Sequence, residues 1–177
     1  MPVRGDRPAA QGTPQHDPTP QGAAIFIDTA LLDELSAQAK ALPRLRVNRN
    51  FHREGDDPCH RLLIALEPGS YIPPHCHLDA TKDETLLLVR GRIGALLLDA
   101  QGRISQARIL DAATGCLGLT IPHGTLHTLV ALEPGSVFFE AKAGPYVAPS
   151  EAERPAWAPL EQTSEAAGYF AWLRAQF

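Results

Sequence analysis

The sequence predicts an all-β antiparallel domain, a sandwich or barrel, with one helix before it and one after it. Three observations carry this reading. After Pro43 the apolar residues recur at every second position, short strand-like runs then follow one another between turn signals, and both flanks switch to helical spacing. With 16 Pro and 14 Gly the chain can afford many turns, and 44% hydrophobic against 20% charged residues over 177 positions suits one globular core.

Residues 1–22 are rich in Pro, Gly and Gln and poor in apolar side chains, so they are expected to form a disordered arm. A helical segment, 23–43, follows. Asp28 and Thr29 can cap it, Leu31, Leu32, Leu35, Ala39 and Leu42 line one side, and Pro43 ends it. The barrel is expected over 44–147. Its first strand places Leu45, Val47 and Phe51 on one face and a polar stripe of Arg46, Asn48, Asn50 and His52 on the other.

The runs RLLIALE, SYIPPHCH, ETLLLVRG, RIGALLLDA, RISQARIL, CLGLTIP, LHTLVALE and SVFFEAKA are the remaining strands. ALEPGS occurs twice, at Ala65 to Ser70 and Ala131 to Ser136, and its Pro-Gly centre suits a type II turn. Both copies are expected to be hairpins near the functional site. The C-terminal extension, 148–177, is read as a Pro-rich linker and a closing helix from Ser164, with Tyr169, Leu173 and Phe177 on one side.

A net charge of -4 without a basic cluster argues against nucleic acid as a partner. The N-terminus shows no apolar core of a signal peptide and no later stretch has the length of a membrane span, so a cytoplasmic protein is expected. Cys59, Cys76 and Cys116 lack C-x-x-C spacing and read as reduced thiols.

The chemistry concentrates in a few side chains. On a strand, His75 and His77 point to the same face while Cys76 points away, so two imidazoles can meet one ion. Pro73 and Pro74 stiffen the approach. Glu84 opens one apolar run and His127 opens another, after Pro122, His123 and Gly124. Asp79 and Asp83 are rival carboxylates. His16, His60 and His123 are assigned to surface or core roles, and Lys82 to a solvated loop charge.

These residues resemble the cupin superfamily. Its first motif corresponds to Gly69, SYIPP, His75-Cys76-His77, Glu84 and Gly91, and its second to Gly115, Pro122-His123-Gly124 and His127. Six residues separate His77 from Glu84, longer than the family's usual interval, so a loop insertion has to be absorbed. The stretches NRNFH, DPCHR, EPGSYIPPHCH, KDETLLLVRGR, IPHGTLHTLVALEPGSVFFEAKAGPY and WAP are similar to the WbuC family of cupin-fold metalloproteins. The resemblance implies a cupin-type antiparallel barrel, a double-stranded β-helix or jelly roll, and one divalent ion held by His75, His77, Glu84 and His127. It also implies an association with surface polysaccharide (O-antigen) metabolism.

Three imidazoles and a carboxylate suit Zn, Fe, Mn, Ni or Co. Arg46, Asn48, Asn50, Arg61 and Tyr71 are candidates to bind a small sugar-like or carboxylate ligand, and His52 or Glu84 to move a proton. A metal-dependent enzyme on such a metabolite, isomerase-like or epimerase-like, is the leading expectation. A non-catalytic metal- and ligand-binding or sensing protein, and an Fe(II) oxygenase, are the alternatives. A homodimer is expected, because cupin-like barrels leave a sheet face or edge to be covered.

Overall fold

The computed structural model describes residues 24–177, and the arm assigned to 1–22 lies outside the described residues. Helix α1, Thr29–Ala41, begins where the Asp28 carboxylate accepts the Leu31 N–H at 3.0 Å. Eight strands follow: β1 (Arg46–Asn50), β2 (Cys59–Leu66), β3 (Glu84–Arg90), β4 (Ile93–Leu98), β5 (Ile104–Leu110), β6 (Gly118–Ile121), β7 (Leu126–Ala131) and β8 (Ser136–Ala143). Helix α2, Ala166–Arg174, closes the chain.

The strands form two antiparallel sheets, ordered β1-β2-β8-β3-β6 and β5-β4-β7. A single bridge between His75 and His127 adds the metal-motif segment to the free edge of β7. This is the jelly-roll order of a cupin-type barrel, as the sequence predicts. The core between the sheets contains Leu62, Ile64, Leu66, Leu86, Ile93, Leu129 and Phe138. Outside, Leu32, Leu35 and Ala39 of α1 cover Leu63, Ala65 and Val137 on the five-stranded sheet. Leu173 of α2 covers Leu96, Leu98 and Val130 on the other. Among the described residues no helix is long and apolar enough to cross a membrane.

Three local expectations need correction. SYIPPHCH makes one bridge instead of a ladder, because Pro73 and Pro74 have no N–H to donate. The closing helix starts at Ala166, with no side-chain cap from Ser164. The two ALEPGS turns do carry Gly69 and Gly135 at positive φ, but each joins strands of different sheets and neither is a hairpin. They also lie at the end of the barrel opposite Glu84, since Leu66 pairs with Ser136 whereas Glu84 pairs with Lys142. There the two turns meet, the Gly135 N–H donating to Glu67 Oε1 at 3.0 Å.

Leu35 is fully enclosed between α1 and the sheet. Leu35→Ala is expected to cost about 2–5 kcal/mol in urea unfolding without changing ligand or metal binding.

Candidate metal centre

Register along the two sheets brings the site together at one mouth of the barrel. On β3, Glu84 shares the inward face with Leu86, and on β7, His127 shares it with Leu129. His75 and His127 sit directly opposite, exchanging backbone hydrogen bonds of 3.1 and 2.9 Å. Their rings therefore lie side by side, with centroids 4.6 Å apart.

Ligand atoms of His75, Glu84 and His127 all lie within 4.8 Å of one another. His77 joins through the carboxylate, its Nε2 standing 3.0 Å from Glu84 Oε1, while His127 Nε2 stands 3.0 Å from Glu84 Oε2. The extra residues between His77 and Glu84 are absorbed by a turn in which Asp79 Oδ1 accepts from the Thr81 N–H and hydroxyl. Asp83 accepts from the N–H and ring of His123. Neither aspartate belongs to the cluster.

Ring orientation fits a cation. His127 Nδ1 is 2.9 Å from the Thr125 carbonyl and His75 Nδ1 is 3.1 Å from the Pro73 carbonyl. A carbonyl only accepts, so in each ring Nδ1 donates and Nε2, the nitrogen whose lone pair a metal ion takes, points towards the cluster. At His127 that lone pair faces a carboxylate oxygen, a close approach of two acceptors that a shared cation between them satisfies. The donor set of imidazoles and one carboxylate suits a borderline divalent ion.

Charge around Glu84 is arranged to keep it ionised. Burial pushes its carboxyl up, but the close contacts of its two oxygens with the His127 and His77 rings and the charge of Lys142 outweigh this and hold it well below the usual carboxylate range. Lys142 Nζ donates to Glu84 Oε1 at 2.8 Å and approaches Glu140 Oε1 at 2.9 Å. Burial disfavours the ammonium, and the two carboxylates more than offset it, so Lys142 stays charged. Burial of the His75 ring, helped by neighbouring His127, drops that imidazole to about 3.

The sequence reading missed several of these groups. His60 is buried with its Nε2 3.1 Å from the Gly55 carbonyl, in keeping with the core role among those expected of it, but its place on the inward row with Lys142 and its stack on His52, 4.0 Å between centroids, were not foreseen. Glu140 and Lys142 sit two residues apart on β8, on the inward face set by Phe138, and that period-two spacing was the available signal. Lys82, read as a solvated loop charge, is only 7% exposed.

Glu153 is a further omission. Its carbonyl accepts the Cys76 N–H at 3.0 Å and its Oε1 accepts the Leu78 N–H at 2.9 Å, so the C-terminal extension grips both sides of His77.

The proposed ligand-binding residues divide. Val47 and Phe51 pack beneath α1, which turns Arg46, Asn48 and Asn50 to the side of the inward-facing Leu66, Ile64 and Leu62. Asn50 is half-buried there, while Asn48 is exposed on the edge strand. Arg46 belongs to the turn end of the barrel, where Glu161, Ser70 and the Tyr71 carbonyl occupy its guanidinium. Tyr71 packs under α2, its hydroxyl donating to the Pro159 carbonyl. Arg61 alternates with His60 and Leu62, facing away from the interior, and donates to the Phe51 carbonyl.

A jelly roll with an imidazole–carboxylate cluster in its mouth defines a cupin-type barrel with a candidate metal centre. A family model described as a domain of unknown function (DUF6016) matches residues 27–110, which includes His75, His77 and Glu84 but stops before His127. No curated protein matches the chain. Among solved structures, it is similar to KdgF from Halomonas sp., with 22% identity over 60% of this chain and 84% of that one and a TM-score of 0.45. It is similar to a conserved protein of unknown function from Streptococcus pyogenes, with 13% identity, coverage of 60% and 80%, and a TM-score of 0.44. An oxalate decarboxylase from Lactobacillus farciminis, in a formate complex, shares 20% identity over 57% of this chain and 29% of that enzyme, with a TM-score of 0.44. Shared activity does not follow from likenesses of this size.

The depressed His75 value has a signed consequence for the metal-free protein. Between about 3 and the ordinary 6.5 the unfolded chain binds a proton that the folded one refuses, so stability rises with pH across that window. Urea unfolding of metal-free protein is expected to show stability falling as pH drops from 7 to 4, and a flatter profile in His75→Gln.

Proposed function

We propose that this chain is a divalent-metal-dependent enzyme acting on a small hydroxylated or carboxylate metabolite. The observation that carries the reading is the lone pair of His127 Nε2 set against Glu84 Oε2, with His75 oriented alike and His77 on the other carboxylate oxygen. Four protein ligands leave two positions on an octahedral ion, enough for a substrate.

A bound divalent ion would supply Lewis-acid polarisation of a substrate oxygen. The protein's own groups do the rest. Lys142 and the imidazoles hold Glu84 as a carboxylate, which suits it to ligation and removes it as a proton donor. Proton transfer falls instead to His52, half-buried at the rim against His60. Burial first and then the neighbouring His52 keep His60 below the ordinary imidazole value, so it serves as a neutral platform for that ring. The WbuC-family resemblance makes sugar acids and sugars of surface polysaccharide metabolism the first compounds to assay.

Elemental analysis of protein purified without added metal tests this reading. About one divalent ion per chain is expected, lost in His75→Ala, Glu84→Ala and His127→Ala and retained in Asp79→Ala and Asp83→Ala. Full metal content in Glu84→Ala, or none in the wild type, overturns it. Glu153→Ala, which frees the Leu78 N–H beside His77, is expected to weaken metal affinity about ten-fold or more in a competition titration, with the fold intact by circular dichroism.

A further inference from the structure

We propose that Lys82 is the anchor for an anionic oxygen group, the carboxylate or phosphate of a small ligand, at the mouth of the metal centre. The inference rests on the metal-site reading above and adds the class of ligand to it.

Lys82 lies in the insertion between His77 and Glu84, two residues ahead of Glu84. It is 7% exposed, a rare state for lysine without a carboxylate partner. Among the described residues no carboxylate lies within ion-pair distance of its ammonium and no protein acceptor binds it; only its backbone N–H is engaged, by the Asp79 carbonyl. Its neighbour in charge, Lys142, is in the opposite condition, compensated by both Glu84 and Glu140. The mouth therefore holds one cation paired directly by two carboxylates and one, Lys82, whose charge reaches only the exposed Asp79 carboxylate without pairing with it.

Placement points the same way. The charges of Lys142 and Lys82 both act on the His60 ring, which stands on the inward row beside Lys142. Gly144, two residues past Lys142, lets the chain pack directly on the His60 ring: a Cβ there would meet the Asp57 carbonyl oxygen at 1.8 Å and His60 Nε2 at 2.9 Å. Counting formal charges, Glu84 and Glu140 balance Lys142 and one further positive charge. A divalent ion together with Lys82 brings the total to two positive charges, which an anionic ligand offsets. A lysine offers a compact point charge, suited to one oxygen of a carboxylate or phosphate without the bidentate geometry of arginine.

The experiment uses full-length protein loaded with Co(II), whose visible spectrum is titrated with acetate and with inorganic phosphate. Both variants are made at one position, Lys82→Met and Lys82→Arg. The expected result is anion binding by the wild type, a loss of about ten-fold or more in affinity in Lys82→Met, recovery to within about three-fold in Lys82→Arg, and the same Co(II) affinity in all three. The stronger of the two anions in the wild type identifies the source of the oxygen group. Equal anion affinity in Lys82→Met, or a wild type that takes up Co(II) and binds neither anion, overturns the proposal. A wild type that takes up no Co(II) refutes the metal reading instead, and calorimetry of the metal-free protein with phosphate then decides the Lys82 proposal with the same variants.

Discussion

Two backbone hydrogen bonds between His75 and His127 are the constraint on which the rest of the site depends. An antiparallel pair that exchanges both bonds places its side chains on the same face and in direct opposition, so the imidazoles converge without help from any loop. Slipping this register by one residue would send one ring to the outside of the barrel. Yet the pairing is a single bridge, since the prolines ahead of His75 cannot extend it. Its stability has to come from neighbours: the Gly124 N–H donates to the His77 carbonyl at 2.7 Å on one side, and Glu153 holds Cys76 and Leu78 on the other. The metal segment is held in place by parts of the chain distant in sequence, Glu153 lying 75 residues beyond Leu78.

Glu84 supplies the second half of the geometry from the opposite sheet. Burying a carboxylate is costly unless its oxygens are satisfied, and here each oxygen faces an imidazole while Lys142 adds a full charge. Removing one partner would leave an uncompensated buried charge, so His77, His127 and Lys142 act as a unit. This is why Glu140 is needed although it touches no imidazole. It shares Lys142 with Glu84, which keeps the ammonium fixed on the inward face.

How much of this was legible in the sequence depends on whether the signal was local. Alternation placed Val47 and Phe51 opposite Asn48 and Asn50, and the helical spacing of Leu32, Leu35 and Ala39 identified the surface that covers them. The interval from Glu84 to Gly91 separated that carboxylate from Asp79 and Asp83. Burial of Lys82 was not legible, because a loop charge looks solvated until the elements that enclose it are in place. The Pro-Gly motifs announced turns but carried no information on which end of the barrel they occupy, and that assignment failed. Arg46 was misread for a related reason. Its face was right, but its partner Glu161 lies in a Pro-rich segment 115 residues away, and only tertiary structure brings them together.

The opposed placement of turns and ligands separates two demands on one small barrel. At the turn end, backbone is pinned by groups with full complements of partners: Glu67 on Gly135, Arg46 on Glu161 and the Tyr71 carbonyl, Ser136 on the carbonyls of Arg92 and Glu133. At the ligand end Lys142 and Glu140 are paired, but His127 Nε2 and Glu84 Oε2 face each other across 3.0 Å and the ammonium of Lys82 has no ion-pair partner among the described residues. A fold stabilised mainly at its closed end can leave polar groups under-satisfied at the other, and it is there that an ion or ligand gains binding energy by completing them. The C-terminal extension connects the two ends, since Glu161 is bound at the first and Glu153 at the second. One segment thus contributes separately to the packing of the turn end, through Arg44 and Arg46, and to the backbone beside His77.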